Sequence, residues 1–152
     1  MYNTKLHTTS AAATEAAGAD LARTLRENEA LPRFVALFGD LGVGKTAFVR
    51  GFASVLSPTS LVRSPTFALV NEYARGEIPL FHFDMYRIES EDDLYSIGFE
   101  DYLARDGIAL VEWSENILSS LPPHYLAVTI TKDNPAEPDS RIIEIAERND
   151  LC

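Results

Sequence analysis

Five consecutive apolar residues, FVALF (34–38), run straight into Gly39-Asp40-Leu41-Gly42-Val43-Gly44-Lys45-Thr46. An apolar run bounded by Pro32 and Gly39 predicts a strand covered on both faces, the situation of a strand deep in an α/β sheet. The following octet fits GxxxxGK(S/T), and Phe48, Phe52 and Val55 then recur at helical spacing as far as Pro58. A helix over about 45–56 is therefore predicted. Strand, glycine-rich turn and helix in this order leave few folds open. Glycines let the backbone wrap closely and aim successive N–H groups inward, and the helix presents its own free N–H groups at the same point. Such a cradle suits an oligophosphate. Lys45 reaches β- and γ-phosphates from this position, and the Thr46 hydroxyl suits Mg²⁺.

The remaining segments predict one domain over 1–152 with a sheet of mixed direction between helices. Residues 1–9 suggest a strand or an arm. Ser10, or Thr14 one turn later, is placed to cap a helix carrying Leu21, Ala22 and Leu25 and ending near Asn28. Phe67–Tyr73 and Ile78–Tyr86, separated by a turn at Gly76, suggest an antiparallel hairpin. Glu89–Asp93, with Ser90 as cap, predicts one helix through Leu94, Ile97 and Tyr102 that ends by Gly107. Ile108–Val111 is a second buried strand, followed by a short helix to Leu121. Tyr125–Thr131 alternates as a strand, DNPAEPDS (133–140) suggests a loop, and Arg141–Ala146 suggests the last strand.

With 152 residues the chain can bury a core without disulfides. Its charge is informative: 23 Asp+Glu against 13 Lys+Arg gives −10, and lysine occurs only at Lys5, Lys45 and Lys132. So acidic a surface repels phosphate backbones and argues against DNA and anionic membranes as partners. The single cysteine, Cys152, permits no internal disulfide and is expected as a solvent-facing thiol. The opening MYNTKLHTTS lacks the pattern of a secretory signal and no apolar run is long enough to span a bilayer. A cytoplasmic location is the expectation.

A phosphate loop that holds Mg²⁺ needs a carboxylate at the end of a nearby apolar strand. Glu112 follows IALV (108–111), and Asp84 ends LFHFD (80–84). Two such acids would divide the work: one anchors the metal's water shell and the other orients the attacking water. The strand pattern favours Glu112 for the metal and Asp84 for the water or a metal contact through water. TKDN (131–134) carries its acid one position early for guanine recognition, and no Asp is followed three places on by Gly, so ATP is preferred over GTP. His82 shares the Asp84 face of its strand, as a core histidine or a site residue. Trp113 borders the proposed site, Thr66 in Ser64-Pro65-Thr66 either contacts the γ-phosphate region or belongs to a plain turn, and Arg87 is the cation nearest Asp84 in sequence.

Four blocks in order, GDLGVGKTAFVRGF (39–52), SPTFALVNEY (64–73), HFDMYR (82–87) and LVEWSE (110–115), resemble the signature blocks of the TsaE (YjeE) P-loop ATPases. Weaker similarity runs from Ser10 through Ala146. The resemblance implies a three-layer P-loop NTPase fold with a mixed parallel/antiparallel sheet. It also implies a weak, Mg²⁺-dependent ATPase acting beside TsaB and TsaD in threonylcarbamoyladenosine synthesis on tRNA, without itself transferring the group. It places Asp40, Leu41, Gly42, Val43, Gly44, Lys45, Thr46 and Ala47 at the nucleotide, Lys45, Asp84 and Glu112 in catalysis, and Thr46 and Glu112 on Mg²⁺, with Asp84 reaching it through water. Ser64, Pro65, Thr66 and Phe67 form the nucleotide-responsive loop, with His82, Arg87 and Trp113 at its rim. Ser10 and Thr14 fall near the adenine side, and Arg141 matches an arginine opening the last strand. Val43 and Ala47 depart from the commoner residues at their positions. A small-molecule kinase, which needs an arginine-bearing lid, and a nucleotide-sensing interaction module are the competing readings. The charge of −10 suggests that tRNA is met through the partner proteins.

Overall fold

Covering FVALF on both faces takes a strand on each side and a layer of helices above and below. The computed structural model, which describes residues 1–39, 42–58, 65 and 69–150, supplies all of these. Strand β2 (Phe34–Phe38) pairs in parallel with β5 (Ile108–Glu112) on one side and β6 (His124–Asn134) on the other. Adding β1 (Asn3–Thr8), β3 (Val70–Tyr73), β4 (Leu80–Asp84) and β7 (Glu137–Asn149) gives one seven-stranded sheet, ordered β1-β7-β6-β2-β5-β4-β3. β4 runs parallel to β5, whereas β3, β7 and β1 add antiparallel pairs at the two sides. The expected mixed sheet is what forms. Cys152, expected as a free thiol, lies outside the described residues, as does the start of the predicted strand at Phe67.

Period-two alternation separates the two cores. Val35 and Leu37 pack with Leu21 and Leu25 of α1 (Ala11–Glu27) and with Phe48 and Phe52 of α2 (Lys45–Leu56). Phe34 and Ala36 pack the other way, among Phe81, Phe83 and Phe99. That second layer contains α3 (Glu91–Ser96), α4 (Phe99–Leu103) and a 3₁₀ segment, Ser114–Ser120. The helices α1 and α2 lie backbone to backbone. A Cβ on Gly51 would stand 1.8 Å from the Glu15 carbonyl oxygen, and one on Gly18 would stand 2.0 Å from that of Phe48.

Local signals placed several boundaries well. Ser10 caps α1 by accepting from the Ala13 N–H, and Ser90 caps α3 by accepting from that of Asp93. Two expectations need correction. The single helix predicted over 89–107 is two short helices, because Gly98 adopts a left-handed conformation (φ 72°) and breaks the ladder. The loop predicted at 133–140 is instead a hairpin: Asn134 pairs with Glu137 around Pro135-Ala136, and the Ala136 N–H donates to Asn134 Oδ1 at 2.9 Å. Its register shifts between Lys132 and Asn134, a local irregularity in the ladder. At the opposite end of β7, Glu147 accepts the Tyr2 N–H at 3.0 Å and pairs with His124. Those two bonds, the first most of all, hold its carboxyl below the usual range.

Because backbone, not a flexible side chain, opposes a Cβ at position 51, Gly51→Ala must push α1 and α2 apart. Urea unfolding is expected to show a loss of about 1–3 kcal/mol; unchanged stability would mean that the helices separate without penalty.

Candidate nucleotide site

The glycine-rich loop leaves the C-terminal end of β2, the central strand, and enters α2 at Lys45. Gly42 (φ 76°) and Gly44 (φ 101°) both lie in the left-handed region, which a side chain would resist. A Cβ on Gly42 would meet nothing within 4 Å, so its positive φ rather than crowding favours glycine there. The Gly44 carbonyl accepts the Phe48 N–H at 3.2 Å as the first turn of α2. The N–H groups of that first turn are therefore free to face the loop. Thr46 is exposed and Ala47 half-buried at this end of the helix. Asp40 and Leu41 lie outside the described residues.

Lys45 is buried, and its Nζ donates to the Gly39 carbonyl at 2.6 Å while sitting 3.9 Å above the centre of the Trp113 ring. The ammonium is thus satisfied by a carbonyl and an aromatic face. Trp113 has φ 58°, left-handed for a bulky residue, and Tyr86 packs on its ring at 5.1 Å. That conformation directs the indole beneath the lysine at the position immediately after Glu112.

The two acids come together as the sequence suggested. Asp84 and Glu112 are register partners at the C-terminal ends of β4 and β5, and both are buried. Asp84 Oδ1 accepts the Tyr86 N–H at 3.0 Å. Glu112 Oε2 lies 2.6 Å from His82 Nε2, on the same sheet face one pair back. An ionised Glu112 requires the imidazole proton on Nε2, leaving buried Nδ1 without a partner among the described residues. His82 is therefore both buried and joined to the candidate acid. Asp84, Glu112 and the Thr46 hydroxyl offer oxygen ligands only, the chemistry that a hard cation such as Mg²⁺ would take. Among the described residues no group of three or more His, Cys, Asp or Glu side chains is placed to hold a metal ion.

Of the remaining expected residues, Thr14 is buried beside the loop: its Oγ1 meets Thr8 Oγ1 at 2.8 Å, and its methyl lies 3.7 Å from where a Gly44 Cβ would stand. Ser10 is occupied in capping α1. Arg141, on β7, reaches the loop at the carbonyls of Val43 (2.7 Å) and Gly42 (3.3 Å). Pro65 is buried and accepts the Leu69 N–H at 2.6 Å; the Leu69 carbonyl in turn accepts the Asp84 N–H at 3.0 Å. Pro65 is therefore joined through Leu69 to the end of β4 by backbone hydrogen bonds. Ser64, Thr66 and Phe67 lie outside the described residues, and Arg87 is exposed just beyond β4. Two contacts had no assigned role in the sequence reading. Glu115 Oε2 accepts the Gly39 N–H at 3.0 Å, and Asn116 Nδ2 donates to the carbonyls of Met85 and Tyr86, tying the 3₁₀ segment to the end of β4. A cavity of about 500 Å³ opens beside Gly39, Val43 and Glu115.

A glycine-rich loop between a central parallel strand and a helix, with acids ending the next two strands, defines a P-loop NTPase fold. A family profile described as threonylcarbamoyl adenosine biosynthesis protein TsaE matches residues 8–143. The tRNA threonylcarbamoyladenosine biosynthesis protein TsaE of Bacillus subtilis is 38% identical over 115 residues, spanning 76% of this chain and 72% of that protein. The Haemophilus influenzae protein of the same name is 38% identical over 117 residues, 77% of this chain and 72% of its own length. The crystal structure of Bacillus subtilis YdiB superposes with a TM-score of 0.75 at 32% identity, covering 97% of this chain and 86% of that one. The chain belongs to the TsaE family.

The His82–Glu112 contact yields a check by unfolding. Glu112→Ala strands a buried imidazole N–H and is expected to lower stability by about 1–3 kcal/mol. Glu112→Gln keeps an acceptor and removes one of two neighbouring negative charges, so its urea midpoint should equal or exceed that of the parent. A Gln variant as unstable as the Ala variant would refute the hydrogen-bond assignment.

Proposed function

We propose that this protein is an ATP-binding, weakly hydrolysing subunit required for threonylcarbamoyladenosine modification of tRNA. It acts on a complex of TsaB and TsaD homologues and does not transfer the group itself. The observation that carries this reading is the convergence of Lys45, the loop and the Asp84–Glu112 pair at one end of the central strands. Family membership supplies the pathway. Residues 40–47 bind the triphosphate, with Ser10, Thr14 and Arg141 bordering the site, and Lys45 exchanges the Gly39 carbonyl for phosphate oxygens. Thr46 and Glu112 would hold Mg²⁺, which would screen the phosphate charge, and Asp84 would support that ion through water or orient the nucleophile.

In hydrolysis a water oxygen bonds to the γ-phosphorus as the bond to the β-phosphate oxygen breaks, leaving ADP and phosphate. Asp84 accepts the water's proton. His82 fixes the rotamer of Glu112, and Trp113 releases Lys45 as phosphate replaces its ring. Residues 64–67 respond to the γ-phosphate, with Pro65 joined through Leu69 to Asp84, and Arg87 lies on the rim. The chain's net charge of −10 supports a reading in which tRNA is contacted by the partners, membrane and DNA have no role and the reaction is cytoplasmic. No helix among the described residues is long and apolar enough to cross a membrane.

Three measurements test this. ATP turnover should rise when TsaB, TsaD and substrate tRNA are added, and unchanged turnover would remove the coupled mechanism. Lys45→Ala should abolish triphosphate binding by calorimetry; retained affinity would refute the site. Asp84→Ala should bind ATP nearly as the parent does yet fail to hydrolyse it, and equal loss of both would make Asp84 a structural or metal-anchoring residue.

A further inference from the structure

Arg141 enters the site from behind. Its Nε donates to the Val43 carbonyl at 2.7 Å and its Nη2 to the Gly42 carbonyl at 3.3 Å, while Nη1 donates to the carbonyls of Ser140 (2.9 Å) and Pro138. All three guanidinium nitrogens are engaged by backbone oxygens, leaving a single N–H over. In a trans peptide the C=O and N–H point in opposite directions, and the described chain has no cis bond. The two peptides held by Arg141 therefore turn the N–H groups of Val43 and Gly44 away from the guanidinium. A cation hydrogen-bonded to the oxygen end of an amide also polarises it, strengthening its N–H as a donor to an anion.

The clamp is itself anchored. Arg141 pairs in register with Thr8 on β1 and Lys132 on β6, and the Thr8 hydroxyl meets that of Thr14, whose methyl abuts Gly44. The glycines make the loop pliable, so something outside must select the conformation in which its donors converge.

We propose that Arg141 is a positioning residue. It holds two loop peptides by their carbonyls, so that the Val43 and Gly44 N–H groups face a polyphosphate, and it does so without contacting the base or sugar. The inference deepens the ATP-binding reading and rests on it. Calorimetric titration of the full chain with MgATP and with inorganic tripolyphosphate, which has no base, separates the possibilities. Arg141→Gln is expected to weaken both ligands by a similar factor, roughly 10- to 100-fold. The unfolding midpoint of its nucleotide-free form should stay within about 3 °C of the parent, a shift worth roughly 1 kcal/mol at this size. Arg141→Lys should lose nearly as much, because one ammonium cannot span both loop carbonyls and those of Pro138 and Ser140.

Loss confined to ATP would place Arg141 on the base or sugar and overturn the proposal. So would unaltered binding by either variant, or a nucleotide-free midpoint lowered by more than about 10 °C, which would make the arginine a strut of the fold. Lys45→Ala titrated in parallel keeps the two claims apart. If that variant binds tripolyphosphate normally, the phosphate site itself fails; if it does not bind while Arg141→Gln binds as the parent does, only the clamp fails.

Discussion

The arrangement depends on peptide groups that must point one way. A loop of glycines has no side chains to dictate where its N–H groups face, and an inward-facing set is unfavourable until an anion arrives. Here the direction is set from outside, by the strand that feeds the loop, the helix that leaves it and the guanidinium behind it. Anchoring this loop on β2 requires a strand covered on both faces. That requirement in turn accounts for parallel neighbours on each side and helices in two layers.

The same topology decides where the acids fall. Parallel strands end together, so β5, beside β2, and β4, the next strand out, bring Glu112 and Asp84 to the end of the sheet from which the loop leaves. Their carboxyl oxygens are the ligand type that Mg²⁺ prefers. Lys45 is held against Trp113 and Gly39, not in solution, so its charge remains inside the site without phosphate. A site of this kind is prepared for a highly charged ligand, while the rest of an acidic surface discourages nucleic acid.

What the sequence displayed was whatever depends on neighbours in the chain. FVALF, the caps at Ser10 and Ser90, and the spacing of Phe48 and Phe52 each carry their meaning within a few residues. The 133–140 segment misled because Asp, Asn and Pro signal a loop unless a partner strand supplies register, which β6 and β7 supply to each other. Gly98 was invisible as a helix break because Leu94, Ile97 and Tyr102 keep helical spacing across it. Within the site, Lys45, Asp84 and Glu112 were legible as types in a motif. Their supports were not: His82 on Glu112, Glu115 on Gly39 and Arg141 on Val43 join residues 30, 76 and 98 positions apart. Two of those three are side chain to backbone, which leaves no pairing of residue types to find.

The central claim is that a triphosphate sits in the hollow of the 39–46 loop, with metal and nucleophile on the Asp84–Glu112 side. A crystal structure with a non-hydrolysable ATP analogue and Mg²⁺ tests it most directly. The account requires the β-phosphate within hydrogen-bond reach of the Val43, Gly44 and Lys45 amides, Lys45 Nζ moved from Gly39 to phosphate, and Mg²⁺ on Thr46 and Glu112. A nucleotide bound elsewhere, with Lys45 still on the Gly39 carbonyl and above Trp113, would contradict it.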